Sequence, residues 1–255
     1  MRVRVPLPDL LPGLRALEAD ASHYLCRVLR LRDGDAFVAF DPDAHVEANA
    51  CIMQTSETSA VVSIGEIRAA HVVAGAPLSL VYALAKGNKV DAVVRDATEL
   101  GATNVILART DRSVIKADEE RTRNKLARLR RIAEQAARQC GRADPPGVDG
   151  VFDWDGALAH AATIAEARYC LDVRANTELG PALVHDVAHM RSITVAIGPE
   201  GGLTDREVDE ARKHGFVIAS LGRFVLRTET VAAAVLGAIR VLSYQTSQRF
   251  LRIIG

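Results

Sequence analysis

The 255-residue chain lacks most of the features by which a sequence declares its class. Lysine plus arginine number 32 and aspartate plus glutamate 32, so overall charge selects no partner and only local charge can. The four cysteines, Cys26, Cys51, Cys140 and Cys170, form no CxxC pair, which argues against a disulfide framework or a zinc ribbon and fits a reducing cytoplasm. No apolar stretch approaches the roughly eighteen residues of a membrane span. The N-terminus MRVRVPLPDL has no long apolar core, so neither a signal peptide nor a membrane segment is expected. Repeats, heptads and low-complexity tracts are missing, as are GxGxxG after the first strand and GxxxxGK[ST], which leaves an ordinary dinucleotide site or a P-loop unsupported.

What is present is concentrated in the last quarter. An apolar run from Ile193 to Ile197 ends in Gly198-Pro199-Glu200-Gly201-Gly202, and Thr204 with Glu207 forms a capping box that opens a helix. That helix stops near Gly215. Phe216 to Leu221 reads as a second buried strand, and Gly222 opens a loop whose exit, Arg227-Thr228-Glu229-Thr230, caps a final apolar helix. Both loops leave the carboxyl edge of a parallel sheet, where open α/β sheets bind small ligands. Taken alone, the glycine-proline turn reads as ordinary turn chemistry. The arginine and glutamate of LGRFVLRTET change the balance, because charges among apolar residues require a partner or a ligand.

Upstream, the chain changes character near residue 72. In 1–72, short apolar runs (Phe37 to Phe40, Ala48 to Met53, Ala60 to Ile64) separated by turn-rich pieces have the spacing of a small β-barrel, preceded by one helix over Ser22 to Leu31. Leu25, Val28 and Leu29 share a face of that helix, with Arg27 and Arg30 elsewhere and Arg32 in the turn beyond; these arginines read as a solvated face or as RNA phosphate contacts. The segment Arg68 to Pro77 is the expected boundary, and 73–255 the second domain. There Leu78 to Ala85 is a strand, Lys86-Gly87-Asn88-Lys89 a loop, Val90 to Leu100 a helical stripe ending at Gly101, and Val105 to Ala108 the next strand. Strand, helix, strand predicts a right-handed parallel crossover with Lys86 and Lys89 on the ligand edge.

Residues 121–142 hold eight lysines and arginines against one acid, Glu134. Leu126, Leu129, Ala133, Ala136 and Cys140 form a packing face, while Arg128, Arg131, Gln135, Arg138 and Arg142 form a stripe that is either a solvated face or a field suited to phosphates. A second helical segment is expected over Val151 to Ala167 with Trp154 packed at its start, then a strand Tyr169 to Leu171 ending at Asp172, and a weak helix from Leu183 to His189. His185 and His189 mimic HExxH, but Asp186 stands where the glutamate belongs and no third ligand is evident, so they read as surface histidines.

The motifs IGPEGGLTDRE and LGRFVLRTETVAA, with HYLCRVLRLRDGD, LAKGNKVDAVVRDATELGA and IAEQAARQCGRADPPGV upstream, resemble those of the RsmE family. These are SPOUT-class methyltransferases that methylate N3 of a uridine in small-subunit (16S) ribosomal RNA. The resemblance covers most of the chain; Val231 stands where the family usually has alanine, and Val225 where it has isoleucine. It implies an α/β SPOUT domain with a C-terminal deep trefoil knot, preceded by a PUA-like RNA-binding β-barrel, and usually a homodimer with its active site near the interface.

It further implies an S-adenosylmethionine site built from Leu171, Asp172, Ile197, Gly198, Glu200, Gly201, Gly202, Ser220, Leu221, Gly222, Leu226, Arg227, Thr228 and Thr230. RNA contacts are expected at Arg27, Arg30, Arg32, Lys86, Lys89, Arg131, Arg138 and Arg142. In the transfer, Arg227 would stabilise the uracil anion and Glu229 would hold Arg227 or act as base; alternatively the two form a buried pair that only holds the fold together. The last helix, Thr230 to Ser243, presents Val231, Val235, Ile239 and Leu242 either to another subunit or to its own domain. The reading is a methyltransferase acting on 16S rRNA, naked or in the assembled subunit. The alternatives are a relative acting on another RNA and a non-catalytic RNA-binding or ribosome-assembly protein.

Overall fold

The computed structural model describes residues 3–41, 43–56, 59–70, 76–84, 89–113 and 119–254, with side chains over 120–243 of the last segment. It divides into two compact units: Met1–Val73 with Ala137–Pro145, and Ala74–Ala136 with Pro146–Gly255. The Lys86 position and residues 71–75 of the expected boundary lie outside the described residues.

The first unit is built on a six-stranded sheet. Its elements are β1 (Arg4–Pro6), β2 (Gly13–Ala16), α1 (Ala19–His23), β3 (Ala36–Asp41), β4 (Val46–Thr55), β5 (Ala60–Ile64) and β6 (Arg68–Ala69). Strand order is β1-β3-β4-β5-β2, with β6 on β4; β1 and β3 run parallel and the other pairs antiparallel. Alternating residues such as Phe37, Ala39, Ile52, Val62 and Ile64 fill one core together with Leu25. The three longer strands match the apolar runs; β1, β2 and β6 are too short and mixed to show in the sequence. The expected helix begins earlier than Ser22 and continues past α1 as a π-helical turn, Tyr24–Val28. It ends with Arg30 at φ 56° and the Leu31 N–H donating to the Leu25 carbonyl.

The second unit is an α/β sandwich. Its elements are β7 (Leu78–Ala83), α2 (Lys89–Glu99), β8 (Asn104–Arg109), α3 (Glu119–Cys140, of which the residues from Ala137 fall in the first unit), β9 (Gly147–Asp153), α4 (Trp154–Ile164), β10 (Ala167–Leu171), α5 (Leu179–Ala188), β11 (Ile193–Ile197), α6 (Asp205–Lys213), β12 (Val217–Ala219) and α7 (Thr228–Ile254). All six strands are parallel in the order β12-β10-β11-β7-β8-β9. Because side chains alternate along each strand, the sheet carries two cores. Leu80, Tyr82, Val105, Leu107, Val195 and Ile197 pack on one face with residues of α2, α3, α5 and α7; Val81, Ile106, Cys170 and Ala196 pack on the other with α4 and α6.

Several expectations are corrected here. The segment from Val151 is not helical throughout: Gly147–Asp153 is an edge strand, and the helix begins only at Trp154, capped by the Asp153 carboxylate accepting from the Gly156 N–H at 2.8 Å. The strand after α6 is a three-residue edge rather than a buried strand, with Val217 46% exposed. The weak helix begins at Leu179, not Leu183. On α7, Val235 and Ile239 are buried in the core of this unit, and Val231 and Leu242 pack against it. Arg142 is not on a solvated stripe at all; it is 5% exposed and its guanidinium is bound by Asp144 at 3.1 Å.

Candidate active site

The parallel sheet brings the carboxyl ends of β7, β8, β10, β11 and β12 to one edge, and the chain reverses its direction of sheet growth between β7 and β11. Ligand crevices in open α/β sheets form at such a place. Here a cavity of about 550 Å³ opens, within the range of small-molecule sites. Its walls come from the ends of β10 and β11, the turn into α6, and the loop between β12 and α7.

The turn Gly198–Gly202 is held from three sides. Gly198 packs so tightly on Leu203 that a Cβ there would lie 2.7 Å from the leucine Cγ. Gly202 adopts φ 73°, a conformation that favours glycine. Arg112, from the loop after β8, donates to the Gly201 carbonyl at 2.5 Å. Beyond the turn, the capping box of α6 is complete: Thr204 Oγ1 accepts from the Glu207 N–H, and the Glu207 carboxylate accepts from the Thr204 N–H at 2.8 Å. That carboxylate also accepts from the Asp111 N–H at 2.8 Å, tying the β8 loop to the same corner.

The charges pair differently from the sequence expectation. Among the described residues Arg227 makes no ion pair, and it is exposed on the cavity wall. Glu229 instead faces Lys89, 3.6 Å away, and Lys89 also binds Glu200 at 2.9 Å. The buried Arg227–Glu229 pair is therefore not formed. Lys89 holds the Glu200 carboxyl below the usual range, and Glu229 is held low by its own backbone N–H, with Lys89 and Thr228 adding to it. Asp172 is likewise lowered, first by its hydrogen bonds from Arg174, which reaches its two oxygens at 2.7 and 3.0 Å and Asp205 at 2.8 Å.

Leu171, Asp172, Ile197, Gly198, Glu200, Gly201, Gly202, Leu221, Gly222, Leu226, Arg227 and Thr228 all line this cavity. Ser220 and Thr230 do not: the Ser220 N–H donates to the Thr177 carbonyl, and Thr230 is exposed on α7. Sequence reasoning missed Arg112 and Arg174 in the lining, and did not single out Phe224 and Val225 within the second loop. Arg112 could have been found from its place just past a strand on the ligand edge. Phe224 and Val225 are 83% and 82% exposed. Of the expected RNA contacts, Arg27, Arg30, Arg32 and Arg131 are exposed, Lys89 is engaged as above, and Arg138 lies over the Tyr24 ring at 5.4 Å. Arg128, on the same stripe, pairs with Asp91. The His185 and His189 rings meet at a tilt of 35°, and no metal-binding group of three or more His, Cys, Asp or Glu occurs among the described residues. No helix among them is long and apolar enough to cross a membrane.

The cavity is thus cradled by glycines at the switch point of an α/β sheet, with Arg227, which makes no ion pair among the described residues, on its wall. Residues 74–240 match the RNA methyltransferase domain family, and residues 17–65 match the RNA methyltransferase PUA domain. The class is thus an RNA methyltransferase with an N-terminal PUA domain. Among its relatives, the ribosomal RNA small subunit methyltransferase E of Synechocystis is 32% identical, over 86% of this chain and 70% of that one. The protein of the same name from Bacillus subtilis is 27% identical over 91% and 90%. A Legionella pneumophila protein solved with the cofactor SAM superposes with a TM-score of 0.85 at 27% identity, over 94% of this chain and 98% of that one. The chain belongs to the ribosomal RNA small subunit methyltransferase E family.

Proposed function

We propose that the chain transfers a methyl group from S-adenosylmethionine to N3 of a uridine in 16S ribosomal RNA. The observation that carries this reading is the cavity itself. Its glycine turn leaves backbone groups open to close approach, Leu171, Ile197, Leu226 and Val231 supply apolar walls, and an unpaired guanidinium borders it. These residue types fit a flat purine, ribose hydroxyls and a sulfonium. When bound, the cofactor supplies an electrophilic methyl for in-line displacement.

The chain's own residues then have defined tasks. N3 of uracil carries a proton at neutral pH, so the site must favour the anion left on its removal. Arg227 presents donors to that developing charge and needs no partner broken to do so. Glu229, engaged by Lys89 and by the Thr228 hydroxyl, organises the start of α7 in this reading. Exposed Arg27, Arg30, Arg32 and Arg131 are the RNA phosphate contacts in this reading. Closure of the N-terminal sheet as a PUA-like barrel, a trefoil knot around the loop before α7, the division into domains at 1–72 and 73–255, a homodimer and a cytoplasmic location complete it.

The test is methyl transfer from labelled S-adenosylmethionine to small-subunit ribosomal RNA, naked and as assembled particles from cells lacking the enzyme, with nucleoside analysis. N3-methyluridine in either sample supports the reading. Cofactor binding without transfer retains the enzyme class and discards the RNA. Failure to bind cofactor favours a non-catalytic RNA-binding protein.

A further inference from the structure

One cation joins three elements at the cavity. The Lys89 ammonium, on the first residue of α2, lies 2.9 Å from Glu200 Oε1 in the turn before α6 and 3.6 Å from Glu229 Oε1 at the start of α7. The other Glu229 oxygen accepts from Thr228 Oγ1 at 3.2 Å, and Thr228 Oγ1 lies 2.8 Å from the Tyr82 hydroxyl at the end of β7. Chemistry fixes the order of protons along this chain. An ionised carboxylate only accepts, so Thr228 donates its single proton to Glu229 and its oxygen receives that of Tyr82. Tyr82 is wholly buried, and burial pushes its hydroxyl up to about 12, so it stays a donor across the neutral range.

Glu200 and Thr228 both line the cavity, one from the turn before α6 and the other from the first residue of α7. Two carboxylates within 4 Å of one nitrogen would repel each other without it. We infer that Lys89 and the Tyr82–Thr228–Glu229 relay form a clamp that positions both cavity loops for the cofactor, and that Lys89 serves this clamp rather than an RNA phosphate. The inference deepens the methyltransferase reading, and its cofactor arm rests on it. Lys89 is a positioning residue: it acts through Glu200 and Glu229.

The two assignments of Lys89 make opposite predictions. A phosphate contact that is removed weakens RNA binding and lowers the salt dependence by about one unit of slope. A clamp that is removed loosens the loops before any ligand arrives. The experiment compares wild type, Lys89→Met, Lys89→Arg and Tyr82→Phe by amide hydrogen exchange without ligand, by calorimetry with S-adenosylmethionine, and by RNA binding at several salt concentrations. In Lys89→Met, exchange over residues 199–203 and 226–231 should rise, cofactor binding should weaken about fivefold, and the RNA salt slope should stay unchanged. Lys89→Arg should recover part of the protection, and Tyr82→Phe should loosen residues 226–231 alone. Unchanged exchange in Lys89→Met overturns the clamp, as does a lowered RNA salt slope with normal cofactor affinity. If wild type itself binds no cofactor, the methyltransferase reading falls while the exchange comparison still decides the clamp.

Discussion

Three donors converge on the Glu207 carboxylate, which has no exposed surface: the N–H groups of Asp111 and Thr204 and the Thr204 hydroxyl, each at 2.8 Å. Glu207→Ala removes the acceptor from these part-buried donors, and urea unfolding should show a loss of about 1–2 kcal/mol. Arg30 presents the opposite case. At φ 56° it occupies a conformation that suits glycine, so Arg30→Gly should stabilise the protein by about 0.5–1 kcal/mol while weakening RNA binding through the lost charge. Denaturant midpoints and RNA titrations on the same sample would show the two effects moving apart. Arg227→Ala should abolish methyl transfer with the unfolding midpoint unchanged, because no ion pair among the described residues is lost with it; near-normal turnover would remove Arg227 from the mechanism. At this scale the sequence was legible where chemistry is local. Thr204 and Glu207 declare their capping box three residues apart, whereas Arg227 and Glu229 looked like a pair because the competing cation, Lys89, belongs to a distant element.

Elements were legible in proportion to their length and burial. β7, buried at every position, and α2, with its apolar stripe, follow directly from the pattern. β9 does not: GVDGVFD lies at the sheet edge with two glycines and only partial burial, so nothing in it resists being read into the helix that follows. What separates the two is Asp153, whose side chain caps the Gly156 N–H. Asp153→Ala should cost about 1 kcal/mol, read as a lower urea midpoint with an unchanged slope. The basic stripe on α3 illustrates the other limit. Periodicity places Arg128, Arg131, Arg138 and Arg142 near one another, but Asp91, the Tyr24 ring and Asp144 engage three of them, and none of those partners is deducible from helical spacing.

Across the whole molecule, buried protons set the pH limits. Burial pushes the Tyr82 hydroxyl from its ordinary 10.0, and the Cys170 thiol from 9.0, up to about 12 in each case. Both protons are held more tightly in the folded state, so their contribution is complete below about pH 9 and declines as pH rises toward 12. Asp172, lowered by Arg174, acts in the opposite sense: its stabilisation is full above the ordinary 3.8 and is lost as pH falls through its depressed value. Urea midpoints should therefore form a plateau from mildly acidic pH to about pH 9 and fall on both sides; an unchanged midpoint at pH 11 would contradict the alkaline limb. The carboxyl edge of a parallel sheet was legible as the ligand edge from alternating strands and helices, whereas the order of the six strands was not, because β9 was hidden in the helix that follows it. The contact between Gly198 and Leu203 reaches beyond the present molecule into how its sequence can change. Since a side chain at 198 would meet Leu203 at 2.7 Å, the two positions cannot drift independently. A larger residue at 198 requires Leu203 to shift or to be replaced by a smaller one, so a change at one position is felt at the other.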